Sequence, residues 1–369
     1  MIDTEIIELN KYFAPEQIIK AAQALKSGEL VAFPTETVYG LGANAFLAHA
    51  VQKIFEVKGR PQDNPLIVHL HNPAQLSEVA KNIPQITYLI LNEFAPGPLT
   101  IILEKTDKIP AQVSAGLDTV AIRFPNNDVA RTLLSLAEVP VVAPSANLSG
   151  KPSPTKAWHV YQDLQGKIPY ILDGGTCTYG LESTILDLSV DQPVILRPGI
   201  ITAKDIKQRA GIEVIEPERL DQNLKHPKAP GQKYRHYSPM APVVILQEES
   251  NLEKRIGNLK HGIRDFVKNY DSDQKDLRIG LFLAEDLVNS FDLEKLTKSL
   301  NASTCYKLHF QIESYNNDQG ADNAARELYN QFRVFDQQKV DLIICSAEPN
   351  LGVGIAYMNR LSKAASYNI

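Results

Sequence analysis

The residues best suited to chemistry begin with two cations and an amide in the segment KGRPQDNP. Lys58 and Arg60 follow a helical pattern, and Asn64 precedes the apolar run PLIVHLH. A guanidinium binds two phosphate oxygens at once and lysine adds a point charge, so the segment predicts a phosphate clamp. A plainer interpretation is that both cations only offset the dipole at a helix C-terminus, worth about 0.3–1 kcal/mol.

Three further segments supply hydroxyl groups and another arginine. PTETVYGLG carries Thr35 and Thr37, APSANLSGKPSPT (143–155) carries three serines, and GLESTILDL carries Ser183, while Arg197 ends the run VILR. Small hydroxyl residues and glycine let a backbone approach an anion closely, so a shared anion site is one interpretation. The alternatives are self-capping turns at the threonines, a flexible surface loop at residues 143–155, and an ordinary surface arginine.

Two nucleotide-binding patterns can be set aside. The chain contains no GxxxxGK[ST] segment, and the match to GxGxxA at residues 40–45 is separated from its strand by PTETVY. A dinucleotide fingerprint needs its first glycine directly after the strand. We therefore interpret these glycines as a loop with tight turns. His69, inside an apolar run, is more often a core histidine than a ligand.

The elements that must position these residues form an α/β domain over residues 1–210, with a mixed sheet. The strand-like runs are LVAFP, PLIVHLH, LTIILEK, TVAIRFP, PVVAP, PYILDGG, STILDL and PVILRPG. Helical periods occur in PEQIIKAAQALKSG, AHAVQKIFEVKGR, DVARTLLSLAE and TKAWHVYQDLQ. Gly28 is typical of a helix C-terminus.

The rest of the chain divides into a linker and a second domain. Residues 211–240 have no apolar period and contain four prolines, which is typical of an extended linker. Residues 241–369 then alternate strictly between strand and helix, which predicts a smaller Rossmann-like parallel sheet with right-handed crossovers.

Composition limits the classes of function. A formal net charge of -5 argues against a protein that mainly grips nucleic-acid phosphates. Cys177, Cys305 and Cys345 are scattered, so neither a disulfide framework nor a zinc site is expected. The N-terminus has no apolar signal segment, and no apolar run is long enough to cross a bilayer. We expect a cytoplasmic protein.

Together these segments resemble the YrdC-like family in its long, two-domain form, the threonylcarbamoyl-AMP synthases. The resemblance rests on PTETVYGLG, KGRPQDNP, TVAIRFP, APSANLSGKPSPT, GLESTI, ILRPG and PGQKYRHYSP. It spans the whole first domain in order and includes the linker. The second domain agrees in length and pattern more than in sharp motifs.

The resemblance implies a twisted mixed sheet with a concave cleft and a nucleotidyltransferase activity. Such an enzyme makes threonylcarbamoyl-AMP and pyrophosphate from L-threonine, bicarbonate or CO2, and ATP with Mg2+, for the threonylcarbamoyladenosine modification of tRNA. It also implies transient contact with tRNA and with the tRNA threonylcarbamoyl transferase machinery, no membrane, and no metal ligands on the protein itself.

The resemblance also implies which residues form the site. Lys58 and Arg60 would be catalytic. The threonine-binding residues would be Thr37, His69, Arg123, the backbone at Ala143, and Ser183. The ATP-binding residues would be Arg60, Asn64, Thr119, Ser145, Ser153, Arg197 and Tyr237. Tyr237 belongs to the linker, which would then close over the cleft as a lid.

Two other functions remain alternatives. An RNA-binding module could use the concave basic face, but the cleft loops lack the interleaved aromatic residues on which bases stack. A carbamoyl transferase related to hydrogenase maturation factors would contain a similar domain. Those chains carry zinc-finger cysteines, and three scattered cysteines do not match that pattern.

Overall fold

The computed structural model describes six stretches of the chain: residues 2–216, 238–249, 251–270, 276–316, 318 and 320–369. They fall into two units, one up to residue 216 and one from residue 238. Most of the predicted linker, including Tyr237, lies outside the described residues. Ile215 hydrogen-bonds to Pro193 and Ile195, so the chain up to this point packs with the first unit.

The first unit is built on a ten-stranded sheet. Its strands are β1 (Glu5–Glu8), β2 (Val31–Phe33), β3 (Gly40–Asn44), β4 (Ile67–His69), β5 (Leu99–Glu104), β6 (Thr119–Arg123), β7 (Val141–Val142), β8 (Tyr170–Asp173), β9 (Thr184–Asp187) and β10 (Val194–Arg197). Their order is β1-β8-β2-β3-β7-β4-β6-β5-β9-β10. Four neighbouring pairs are parallel, namely β1/β8, β2/β8, β4/β6 and β5/β9, and the others are antiparallel. The predicted mixed sheet is confirmed.

Every strand predicted in this unit is present, but β1 and β3 were missed. The interpretation of residues 40–45 as a turning loop is wrong, because most of that segment is the buried strand β3. Its glycines make room for a neighbour instead. A Cβ on Gly42 would lie 2.9 Å from the ring of Phe33 and 3.1 Å from the side chain of Val141.

Eight helices surround the sheet within the described part of this unit: α1 (Ile19–Lys26), α2 (Ala48–Lys58), α3 (Leu76–Val79), α4 (Gln85–Phe94), α5 (Ala111–Ser114), α6 (Asp128–Ala137), α7 (Ala157–Leu164) and α8 (Ala203–Ala210). The four predicted helices correspond to α1, α2, α6 and α7. The apolar period of α2 runs through Ile54, and the helix ends at Gly59, whose φ of 60° is easily reached by glycine. Because the helix ends here, Lys58 lies in its last turn and Arg60 lies in the loop that follows.

The two faces of the sheet are covered differently. One face carries Val68 and Ile122 and packs under α2, α4, α7 and α8 in the largest core. On the other face, α1 and α6 cover β2, β7 and β8 through residues such as Phe33 and Val141. The neighbouring strands β4, β6, β5 and β9 contribute only a small separate apolar cluster to that second face. The functional residues lie next to this cluster.

The second unit is a parallel α/β structure, as predicted. Its strands are β11 (Val243–Leu246), β12 (Asp276–Ala284), β13 (Lys307–Tyr315), β14 (Leu342–Ser346) and β15 (Tyr367–Asn368), in the order β13-β12-β14-β11-β15. All neighbouring pairs are parallel. Its helices are α9 (Leu252–Asn269), α10 (Glu285–Asn289), α11 (Leu293–Asn301), α12 (Asp322–Gln338) and α13 (Val353–Ala364). The short strand β15 was not predicted.

Candidate active site

A row of polar side chains crosses three neighbouring strands of the first unit. His69 on β4 lies opposite Arg123 on β6, and Arg123 lies opposite Thr100 on β5. Cross-strand partners point to the same face of a sheet, so the three side chains are neighbours. All three are buried, which makes an imidazole, a guanidinium and a hydroxyl an unusual set for a sheet interior.

An apolar row runs beside the polar one. Ile67, Ala121 and Ile102 each lie two residues along from a member of the polar row, on the same face. They form a cluster with Ile185 of β9. This face therefore offers hydrogen-bonding groups and an apolar floor side by side, which suits a small ligand with both polar and methyl groups.

Arg123 is paired with a carboxylate that the sequence analysis did not single out. Oε1 of Glu36 lies 2.9 Å from Nη2 of Arg123, and each side chain is 5% exposed. Glu36 lies between Thr35 and Thr37, in the turn that follows β2. The hydroxyl of Thr35 donates to the carbonyl of Val38 and accepts from the backbone N–H groups of Thr37 and Val38, so the turn is held firmly.

His69 is neutral at physiological pH. Burial, and secondarily the charge of Arg123, lower its pKa from 6.5 to about 3. Its Nδ1 lies 3.2 Å from the carbonyl oxygen of Ile67, an arrangement in which Nδ1 carries the proton and donates it. The Nε2 atom is then a hydrogen-bond acceptor, suited to a hydroxyl group.

Ser183 joins the row from the loop before β9. Its hydroxyl lies 2.7 Å from that of Thr100. Nη2 of Arg197 donates to the Ser183 carbonyl at 2.9 Å and to its hydroxyl at 3.2 Å. Arg197 is 4% exposed, so the interpretation of this arginine as an ordinary surface residue is wrong. Its positive charge therefore lies next to Ser183, at the end of the polar row.

Lys58 ties the end of α2 to the serine-rich loop. Its ammonium donates to the carbonyl oxygens of Ser145 and Asn147, and the backbone N–H of Ser149 donates to the Lys58 carbonyl. The Ser145 hydroxyl donates to the side chain of Asn147 at 2.6 Å. Lys58 is therefore more than a complement to the helix dipole, because it fixes the backbone of a loop whose hydroxyls are candidate ligands.

The segment after Lys58 contains a buried amide oxygen that accepts no hydrogen bond within the described part of the chain. Nη2 of Arg60 donates to the carbonyl of Pro65 at 3.1 Å, which folds the side chain back along its own loop. Asn64 is buried, and its Oδ1 accepts no hydrogen bond from any residue that the structure describes. A buried amide oxygen without a donor is costly, so a ligand with a donor group would find a ready partner here.

The remaining predicted residues lie at both ends of the site. The Ser153 hydroxyl donates to the buried carboxylate of Glu182, next to Ser183, at 2.6 Å. Thr119 lies on the same face of β6 as Arg123 but four residues earlier, roughly 13 Å away. It also lines an open cavity at the ends of β5 and β9 together with Leu188. One predicted ATP-binding residue, Thr119, and one predicted threonine-binding residue, Arg123, therefore lie on the same strand, β6.

The structure brings the five predicted threonine-binding residues into one neighbourhood. The backbone N–H of Ala143 donates to Ile67, two residues from His69, and Thr37 follows Glu36. Four further residues contact the predicted site residues and were not identified as site residues from the sequence: Glu36, Thr100, Asn147 and Glu182. Glu36 and Glu182 had a usable signal, since each is an acidic residue inside a hydroxyl-rich motif, whereas Thr100 had none within its apolar run.

The described part of the chain shows neither a metal-binding cluster nor a helix that could span a membrane. No group of three or more His, Cys, Asp or Glu side chains there is arranged to hold a metal ion. None of the helices in the described ranges is long and apolar enough to span a bilayer.

Comparisons with known proteins first define the class. A family model covering the Sua5, YciO and YrdC proteins, described as "Telomere recombination", matches residues 23–199. A second, "Threonylcarbamoyl-AMP synthase, C-terminal domain", matches residues 201–366. The mixed sheet with its buried polar row is therefore a YrdC-like domain, and it is followed by the domain that accompanies it in the long enzymes.

Full-length relatives narrow the class to one family. The threonylcarbamoyl-AMP synthase of Pyrococcus abyssi is 40% identical over 366 residues, 99% of both chains. That of Bacillus subtilis is 43% identical over 350 residues, 95% of this chain and 93% of the relative. The crystal structure of P. abyssi Sua5 complexed with L-threonine covers 99% of both chains, with 38% identity and a TM-score of 0.84. The chain belongs to the threonylcarbamoyl-AMP synthase family and is an enzyme.

Proposed function

We propose that the chain joins L-threonine, bicarbonate or CO2, and ATP into threonylcarbamoyl-AMP, releasing pyrophosphate, and that this product supplies the threonylcarbamoyladenosine modification of tRNA. The observation that carries the proposal is the buried row of His69, Arg123 and Thr100 beside the loop that Lys58 holds. A relative of the same length, P. abyssi Sua5, binds L-threonine. The RNA-binding module has no comparable support.

Threonine would bind along the polar row. The Nε and Nη2 atoms of Arg123 are buried and donate no hydrogen bond to any described residue, so they can bind the two oxygens of the α-carboxylate. His69 Nε2 would accept from the threonine hydroxyl, and Ser183 would add a second polar contact. The threonine methyl would lie on the apolar floor formed by Ile67 and its neighbours. A site built to hydrogen-bond a hydroxyl strongly rejects analogues that lack it.

ATP would bind against the loops and along β6. Arg60 and Arg197 would neutralise phosphate charge, Asn64 Oδ1 would accept from a ligand donor, and Ser145 and Ser153 would contact phosphate or ribose oxygens. Thr119 shares a face of β6 with Arg123, so a nucleotide laid along the strand would reach from the threonine carboxylate site toward the N-terminal end of β6. In this arrangement Lys58 positions Ser145 through the backbone and adds positive charge.

The chemical step is the attack of a carbamate on a phosphate. The neutral threonine amine condenses with bicarbonate and releases water, or adds to CO2 and releases a proton, to give the carbamate. The carbamate oxygen then attacks the α-phosphorus of ATP while the bond to pyrophosphate breaks. Because both reactants are anions, alignment and charge neutralisation matter more than covalent help. A Mg2+ ion bound to the ATP phosphates would supply further charge neutralisation.

The cellular location, the macromolecular partners and the role of the linker concern features outside the described site. A cytoplasmic location and transient contact with tRNA and with the tRNA threonylcarbamoyl transferase machinery stay predictions. A covering role for Tyr237 also stays a prediction, since it lies outside the described residues. Such a lid would protect the product, a mixed anhydride that water attacks readily.

Pyrophosphate release tests the proposal. The full chain should release pyrophosphate from ATP only when both L-threonine and bicarbonate are present. Arg60→Ala should reduce this rate at least about 100-fold, the loss typical of a lost charge-stabilising group. Arg131→Ala removes an exposed arginine of α6 in the same unit and should change nothing. Pyrophosphate release that ignores threonine, or an Arg60→Ala variant as active as Arg131→Ala, would contradict the proposal.

A further inference from the structure

Glu36 has no role in the site described so far, although it is the carboxylate closest to the proposed threonine-binding arginine. We propose that Glu36 binds the α-ammonium group of threonine while Arg123 binds the α-carboxylate. This assignment rests on the proposed function and adds to it a residue that selects amino acids over other acids. It treats the buried Glu36–Arg123 pair as a template for a zwitterion.

The backbone holds Glu36 in a fixed place. The hydroxyl of Thr35 closes the turn around it, and the Glu36 carbonyl accepts a hydrogen bond from the backbone N–H of Tyr179 at 2.8 Å. The side chain therefore leaves a turn anchored on both sides. A ligand that binds against Glu36 and Arg123 meets groups already in place, which reduces the ordering cost of binding.

The hydrogen-bonding capacity of the pair is not used up within the described structure. Both carboxylate oxygens of Glu36 are buried, and neither accepts a well-directed hydrogen bond from a described residue. The Nε and Nη2 atoms of Arg123 likewise donate no hydrogen bond to a described residue, although Nη2 lies 2.9 Å from Glu36 Oε1 as an ion pair. An ionised carboxylate can accept about four hydrogen bonds and an ammonium donates three. A threonine ammonium would satisfy what Glu36 lacks.

The charges also favour a zwitterion over an anion. His69 is neutral, and burial raises the pKa of the nearby Cys177 thiol, so that it too is uncharged. An incoming amino acid therefore meets the Glu36–Arg123 pair first, while Arg197 is engaged with Ser183 farther along the row. A hydroxy acid would bring the same carboxylate to Arg123 but no positive group to Glu36, and such a mismatch is a common source of selectivity.

The plainer explanation is that Glu36 only orients Arg123. The two explanations differ in which ligands depend on Glu36. If Glu36 binds the ammonium, its loss weakens ligands that carry an ammonium and spares those that do not. If Glu36 only orients Arg123, its loss weakens every ligand that carries the carboxylate.

Two ligands separate these explanations in the full chain. L-threonine and its hydroxy-acid analogue, (2S,3R)-2,3-dihydroxybutanoate, are titrated by NMR into the wild type, Glu36→Gln, Glu36→Asp and a control, Glu138→Gln, which changes an exposed glutamate. Glu36→Gln should bind threonine roughly 10- to 100-fold more weakly, as expected for one charged hydrogen-bonding partner. It should bind the hydroxy acid as well as the wild type or better. Glu36→Asp keeps the charge and should keep the preference for threonine, so it tests the proposal even if Glu36→Gln fails to fold.

The outcomes distinguish this assignment from the function on which it rests. Equal weakening of both ligands in Glu36→Gln, or no preference for threonine in Glu36→Asp, overturns the ammonium assignment. Unchanged threonine binding in Glu36→Gln does so as well, and the proposed function then stands. A wild type that does not bind threonine at all overturns the proposed function, and the ammonium assignment falls with it.

Discussion

The neutral, buried state of His69 leads to a prediction about stability and pH. In the unfolded chain the imidazole has an ordinary pKa near 6.5, while in the folded chain the pKa is about 3. Between these values the unfolded state binds a proton that the folded state does not, so stability falls as the pH falls. From pH 7.5 to pH 5 this one group should cost about 2 kcal/mol of the free energy of unfolding.

His69→Asn isolates this contribution. The asparagine amide can still donate to the carbonyl of Ile67, but it does not titrate. The single tryptophan of the chain, Trp158, lies on α7, so its fluorescence reports on the first unit during urea unfolding. Other titrating groups affect the wild type and the variant alike and cancel when the two proteins are compared.

The expected result is a smaller dependence of stability on pH in the variant. Its overall stability should be lower at both pH values because a buried ring is lost. Its further loss from pH 7.5 to pH 5 should be about 2 kcal/mol less than that of the wild type. Equal losses in the two proteins would show that His69 is not held neutral in the folded state, and the argument for its Nε2 as an acceptor would fail.

Three more predictions concern the fold and the nucleotide. Gly42→Ala places a Cβ 2.9 Å from the Phe33 ring and should lower the free energy of unfolding by about 1–3 kcal/mol; an unchanged urea midpoint would contradict the close packing of β3. Asn64→Ala should weaken ATP binding about 10-fold without affecting threonine binding, measured by calorimetry, and equal effects on both ligands would remove Asn64 from the nucleotide set. Lys58→Met leaves the Ser145 and Asn147 carbonyls without their ammonium donor and should speed amide hydrogen exchange in residues 143–155; unchanged exchange would show that Lys58 does not hold the loop.

Most strands, and the parallel sheet of the second unit, could be predicted from the sequence because their signals are local. Apolar β-branched runs bounded by Pro and Gly predicted β4, β5 and β6, and the strict alternation after residue 241 predicted the parallel sheet of the second unit. The strand β3 escaped because GLGAN has almost no β propensity. It is a strand because Gly42 fits beneath Phe33, a contact between β2 and β3 that no local pattern reveals.

Site residues that belong to a recognisable motif could be predicted from the sequence. Residues that reach the site only through the pairing of two strands could not. The resemblance pointed to His69, Arg123 and Ser183, and the sheet brings them together. Thr100 looks like any threonine in an apolar strand, and only its position opposite Arg123 gives it a place in the site. Glu36 is a charged residue within a motif, but its ion-pair partner, Arg123, lies far along the chain, so the sequence does not reveal the pair.

Following the labelled carbon of 13C-bicarbonate through the reaction tests the central claim most directly. The full chain is incubated with ATP, Mg2+, L-threonine and 13C-bicarbonate. The products are then separated by chromatography and their masses are measured by mass spectrometry. The account predicts threonylcarbamoyl-AMP carrying the label in its carbamoyl group, formed together with an equal amount of pyrophosphate and absent from an Arg123→Ala reaction. Pyrophosphate without a labelled adenylate, or a product that forms equally well without a functional Arg123, would contradict it.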